Sequence, residues 1–240
     1  GASGIVYDEK RKEFGYRSCL TGMVEEPDLK DLLTRRQRLS LGEEGAYAYV
    51  ATLEALKNAG ISQEYLDNNE VGVLYGNDST AKSVIESIDK LREKKDTTLV
   101  GSGAIFKAMN SSVTMNLSTI FKLTGINFTV SAACASGSHA IGIAYQLIKS
   151  GLQDCIICGG TQEINELAMG SFDGLGVFSV NDVTPGTASR PFDKSRDGLV
   201  PSGGAASLIV ESYESAKKRN AVILGEIIGY GFSSNGDHIS

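Results

Sequence analysis

Tryptophan is absent from the chain, and histidine occurs only at His139 and His238. Two histidines do not make a metal site by themselves, so no metal is expected. Cysteine is also sparse, with Cys19, Cys134, Cys155 and Cys158 in 240 residues. The disulfide frameworks of small secreted domains are far denser, and a reducing compartment is the simpler expectation. Cys155 and Cys158 form a C-x-x-C inside "DCIICGG", which reads as a buried strand. Residues three apart on a strand face opposite sides, which argues against a shared metal or redox role. No apolar run reaches the roughly 20 residues of a membrane span, and the first residues carry no signal-peptide pattern. Basic residues are too few and too scattered for a nucleic-acid partner: 23 Lys and Arg stand against 29 Asp and Glu, a net charge of −6. The 28 glycines assemble neither a G-x-G-x-x-G after a strand nor a G-x-x-x-x-G-K-[ST]. No nucleotide cofactor is expected. These absences describe a soluble, cytoplasmic protein without nucleic-acid or membrane partners.

What is present is α/β grammar. The spacing of Ala48, Ala51, Thr52, Ala55, Leu56 and Ala59 predicts a helix over 40–59, opened by a Ser40/Glu43 capping box and closed at Gly60. "VGVLYG" (71–76) reads as a short buried strand, and the charged stretch Lys90 to Asp96 as a solvated helix end. A strand over Ile126 to Ala132 leads to Cys134, and a helix follows with Ile141, Ala144, Tyr145 and Ile148 on one face, ending at Gly151. "CIICGG" (155–160) is the next strand. Strand, helix and strand in short succession predict a βαβ unit and a largely parallel sheet. A helix from about Asn165 to Phe172, a loop to Pro201, a strand "AASLIVE" (205–211), a basic helix Tyr213 to Arg219 and a strand Val222 to Tyr230 complete the pattern. No linker or repeat interrupts it, so residues 1–240 read as one domain.

Cys134 carries the strongest chemical signal. A cysteine where a strand turns directly into a helix lies beside free backbone N–H groups and the positive end of the helix dipole. That placement favours a thiolate and leaves donors for a developing oxyanion. Ala132, Ala133, Ala135, Ser136 and Gly137 are small enough to admit a bulky thioester. Cysteine is equally common as plain buried packing, and local physics leaves both readings open.

"SAACASGSHAIG" resembles the active-site segment of the β-ketoacyl-acyl carrier protein synthases, condensing enzymes of fatty acid synthesis with the thiolase fold. The similarity continues in order through "LIKSGLQDCIICGGTQE", "FDGLG", "ASRPFDKSRDG" and "GEIIGYGFSSNGDH", with weaker matches upstream in "LYGNDST" and "FKAMNSSV". The bacterial stand-alone type I and II synthases are a better match than the modular polyketide type. The resemblance implies an α/β, thiolase-like fold of which this chain is the N-terminal half, with the first strand and the C-terminal half absent. It implies acyl transfer to Cys134, then decarboxylative Claisen condensation with malonyl-carrier protein, giving a 3-oxoacyl chain two carbons longer. No cofactor is implied. The partners would be acyl carrier protein, as acyl- and malonyl-carrier protein, and a second copy of the chain in a homodimer.

The family's two catalytic histidines lie in H-G-T and G-H segments not found in this sequence, so the chain alone is expected to accept an acyl group without condensing it. His139 and His238 are expected to be structural and loop residues. By the same resemblance Phe172 lines the acyl pocket, Met109 belongs to a stretch that reaches a neighbour's pocket, and Thr80 falls near a chain-length position. Each has a plain packing alternative. Arg190, Asp193, Arg196 and Asp197 would form a polar frame rather than act in catalysis. The alternatives for the whole chain are a non-catalytic partner of the chain-length-factor kind, disfavoured by the presence of Cys134, and an inert fragment.

Overall fold

The computed structural model describes residues 2–237; His238 lies outside the described residues. In chain order the elements are β1 (Ile5–Tyr7), α1 (Glu9–Glu13), β2 (Leu20–Gly22), α2 (Arg35–Ser40), α3 (Glu43–Ala59), α4 (Gln63–Asn68), β3 (Gly72–Gly76), α5 (Ala81–Lys94), α6 (Ala104–Ala108) and α7 (Ser112–Phe121). Then come β4 (Asn127–Val130), α8 (Ser136–Lys149), β5 (Cys155–Gln162), α9 (Glu166–Leu175), β6 (Gly204–Glu211) and α10 (Tyr213–Lys218). The main sheet has the order β4-β3-β5-β6, parallel across β4, β3 and β5 and antiparallel between β5 and β6. β1 and β2 form a separate antiparallel pair.

Alternation along the strands explains why helices cover both faces. Val73, Tyr75, Cys155 and Ile157 point to one side, where they pack with Ala48 and Leu56 of α3 and Val113 and Leu117 of α7. Leu74, Ile156 and Cys158 point to the other and pack with Ala140 and Ala144 of α8. A strand buried on both faces must be apolar throughout, which is why "CIICGG" shows no alternation. The two cysteines of the C-x-x-C therefore lie on opposite sides of the sheet, in accord with their spacing.

Two local expectations are corrected. The helix predicted over 40–59 starts later, at Glu43: Ser40 ends a separate helix, α2, and Leu41 leaves helical geometry between the two with its side chain buried. The capping box belongs to Thr34 and Gln37 at the start of α2, and Gly42 heads α3 without a side-chain cap. Glu43 is drawn instead into a tertiary contact, accepting a hydrogen bond from Ile164 N at 2.8 Å. Gly60 closes α3 in the left-handed region at φ 68°, as the sequence indicated.

The predicted strand Val222 to Tyr230 does not form. Its apolar pattern suits a strand, but a strand exists only where a second one completes its ladder. No described strand forms a ladder with this segment, and Val222 and Leu224 stand 82% and 94% exposed.

Candidate active site at the carboxyl edge of the sheet

The parallel strands β3, β4 and β5 all end at one edge, and the loops leaving them are tied together there. After β3, Asn77 Nδ2 donates to Asn110 O at 3.0 Å and Thr80 Oγ1 to Ala108 O at 3.1 Å. After β4, Ser131 donates its hydroxyl to Asp78 of the β3 loop. Beyond β5, Glu163 is almost fully buried, and Ser79 Oγ, Ala81 N and Asn165 Nδ2 donate to it at 2.5, 2.6 and 2.8 Å. Lys82 N adds a longer bond at 3.3 Å. Thr80 gives α5 no side-chain cap, so the carboxylate of Glu163 satisfies the first amides of that helix from outside.

Cys134 lies in this edge, in the turn between β4 and α8, and is exposed together with Ser131 to Ala135. The turn is tight. Ala135 N donates to Ala132 O at 3.0 Å and Ser136 N to Ala133 O at 3.1 Å. Ala133 takes a left-handed φ of 46°, which costs a residue with a Cβ about 1–2 kcal/mol. The head of α8 is pressed onto the sheet through bare backbone: a Cβ added at Gly76 would lie 2.3 Å from Gly137 N, and one at Gly160 would lie 3.1 Å from Gly137 Cα. Glycines on β3, α8 and β5 thus let the helix start directly over the strand ends.

Thr80 and Met109 come to the same edge. Thr80 is buried and holds the residue before Met109 through Ala108 O, and Met109 is half-buried between α6 and α7. Phe172 belongs to a different element, α9. Its ring stacks on Phe178 with centroids 6.2 Å apart and stays 47% exposed. His139, one turn into α8, is engaged: its Nδ1 pairs with the Tyr230 hydroxyl, and its ring meets Tyr230 and Phe232 edge-on. Arg190 joins Asp197 at 2.7 Å and donates to Ser195 O, while Arg196 donates to Asp193 O. Hydrogen bonds from Ser179 and Val180 hold Asp197 below its ordinary carboxylate range. The other strand cysteines contrast with Cys134, since burial pushes both the Cys155 and the Cys158 thiol up to about 12.

Glu44 is the group that sequence reasoning passed over most completely. Its carboxyl is buried beside Ser112, and burial, with Glu163 and Glu43 adding repulsion, raises it to about 7. Nothing in the local sequence distinguishes Glu44 or Glu163 from surface carboxylates. No group of three or more His, Cys, Asp or Glu able to hold a metal ion occurs among the described residues. No helix among them is long and apolar enough to cross a membrane.

The sequence profile described as "Beta-ketoacyl synthase, N-terminal domain" matches residues 22–216. The chain belongs to the beta-ketoacyl synthase family. A 3-oxoacyl-[acyl-carrier-protein] synthase 1 of Buchnera aphidicola is 39% identical over the full chain, which covers 60% of that relative. The synthase 1 of Haemophilus influenzae is 35% identical over 98% of the chain and 58% of the relative. The chain therefore spans about 60% of the length of the curated relatives it matches. Among solved structures, a beta-ketoacyl synthase from Burkholderia phymatum superposes with a TM-score of 0.90 at 33% identity, covering all of this chain and 59% of that one. A type II polyketide ketosynthase, solved with its acyl-carrier protein and bound to a hexaketide, gives a TM-score of 0.76 at 26% identity over 92% of this chain and 54% of that one. The fold is thus the N-terminal half of the thiolase-like synthase fold, a mixed and largely parallel sheet between helices, as the motifs implied.

Proposed function

We propose that this chain carries the acyl-accepting half of a 3-oxoacyl-acyl-carrier-protein synthase, with residues 1–240 as one domain and Cys134 as the nucleophile. The observation that carries the reading is the placement of Cys134. It is the exposed thiol at the head of a helix seated on the strand ends, in a family whose relatives are named as such synthases. The thiolate Sγ attacks the carbonyl carbon of an acyl-carrier thioester, a new sulfur–carbon bond forms, and the carrier's thiol leaves with a proton. In the second stage malonyl-carrier protein loses carbon dioxide, and its enolate carbon attacks the Cys134 thioester. The sulfur is released as thiolate, and the product is a 3-oxoacyl chain. His139 is held by Tyr230 and is not assigned to that stage, so this chain alone is proposed to load an acyl group and not to condense it.

Thr80 and Met109, joined through Ala108, and Phe172 with its half-exposed ring, are proposed to shape the acyl-binding surface. Carrier protein is the proposed partner in a cytoplasmic setting. In support, a ketosynthase of the same fold is solved with its acyl-carrier protein. A homodimer is proposed on the open outer edge of β4, beside which Ser111, Met115 and Phe128 line a cavity of about 570 Å³.

Incubation of the chain with acyl-carrier protein tests the reading by intact mass. The expected result is one acyl adduct, lost completely in Cys134→Ala. Absence of any adduct on the unaltered chain overturns acylation, and 3-oxoacyl product formed by this chain alone overturns the half-reaction.

A further inference from the structure

The turn that presents Cys134 is exposed from Ser131 to Ala135, yet the next residue, Ser136, is only 5% exposed. Its hydroxyl both accepts and donates. Ser136 Oγ accepts from Ala132 N at 2.8 Å and donates to Ala133 O at 2.7 Å. These two groups stand on either side of Ala133, the one residue of the turn in the left-handed region. Alanine does not hold that conformation unaided, so something nearby must fix it. The neighbouring Gly137 is locked against Gly76 and Gly160, which leaves Ser136 as the link between a firmly seated helix and a strained, exposed turn.

We propose that Ser136 is a positioning residue for Cys134, its hydroxyl clamping the left-handed Ala133 and so fixing the thiol at the head of α8. The inference rests on Cys134 as the acyl acceptor and adds the group that holds it. A side-chain hydroxyl can do this because it donates and accepts at once, whereas neither alanine nor a second backbone group in the turn can bridge both partners.

The experiment uses the intact chain and measures the rate at which Cys134 is alkylated by iodoacetamide across a pH series. In that reaction the thiolate sulfur bonds to the methylene carbon and iodide leaves. Ser136→Ala is expected to slow alkylation about three- to tenfold, the scale of one or two lost hydrogen bonds, and to displace the pH profile. Ser136→Thr keeps the hydroxyl and is expected to return the rate to within about twofold of the unaltered chain. Ala133→Gly combined with Ser136→Ala is expected to recover part of the loss, because glycine enters the left-handed region without strain. A purely structural role would lower the unfolding temperature without moving the pH profile and would gain nothing from Ala133→Gly. The proposal is overturned if Ser136→Ala retains both the rate and the profile, or if Ser136→Thr is as slow as Ser136→Ala. Should the unaltered chain fail to take an acyl group from its carrier, the acyl-acceptor reading falls, while the alkylation series still decides what Ser136 does.

Discussion

The middle of the sheet and its carboxyl edge are built on opposite principles. In mid-strand, Val73, Leu74, Ile156, Ile157 and Cys158 are sealed between helices, and their contribution is the burial of apolar surface. Just past the ends of the same strands, the interior fills with Asn77, Thr80 and Glu163, joined by Glu44 of α3, each buried and all but Asn77 Oδ1 provided with hydrogen-bond partners. Cysteine samples both regions. In mid-strand it is one more small apolar group whose thiol burial holds neutral; at the edge it is exposed beside a helix terminus. The residue type is the same, and its position in the sheet decides whether the thiol is sealed in the core or open to solvent.

The sharpest way to break this contrast is Gly76→Ala. Its methyl would have to occupy space 2.3 Å from Gly137 N, so the head of α8 must lift from the edge. A loss of about 3 kcal/mol is expected in urea unfolding, at the upper end of overpacking costs, together with loss of Cys134 acylation. A second test exploits Glu44. Its carboxyl is raised from 4.5 to about 7 in the folded chain, so the folded state holds a proton that the unfolded state has released between those values. The contribution is fully present below the unfolded value and is lost as pH climbs through about 7, an effect of order 3 kcal/mol. Glu44→Gln is expected to flatten the fall in stability between pH 5 and 8, read as unfolding midpoints across that range; an unchanged slope would remove Glu44 from the account. The smallest effect is assigned to mid-strand. Cys158→Ala deletes one buried sulfur and is expected to lower stability by about 1 kcal/mol while leaving the alkylation rate of Cys134 untouched.

Much of the mid-sheet was readable in the sequence because its causes are local. Strands announced themselves as short apolar runs, and Gly60 stopped a helix because only glycine takes that conformation freely. The strand-to-helix turn at Cys134 was also readable, since a strand meeting a small-residue helix start is a contiguous pattern. Where reading failed, the deciding partner lay far off in the chain. The Ser40/Glu43 box had the right letters, but Glu43 is claimed by Ile164 and Asn165, more than a hundred residues away. Val222 to Tyr230 had strand character and no ladder. The contact among Gly76, Gly137 and Gly160 joins three elements, and no window of sequence contains it. Glu44 and Glu163 looked like surface carboxylates because the groups that bury them come from α7, the β3 loop and α5.

The seat of Tyr230 on α8 gives the 222–232 segment an unusual mechanical status. The ring rests on the bare backbone of Gly142, where a Cβ would lie 2.1 Å from it, and its hydroxyl meets His139. Val222, Leu224 and Ile228 meanwhile face solvent. The segment is thus held through side chains of α8, at Ile228, Tyr230 and Phe232, and not by a backbone ladder. Its amides, which lie outside any ladder, are expected to exchange with solvent at a free energy below that of opening the sheet. The 222–232 segment is therefore held to the sheet by way of α8, the helix that Cys134 heads, and its anchors lie within the first three turns of that helix.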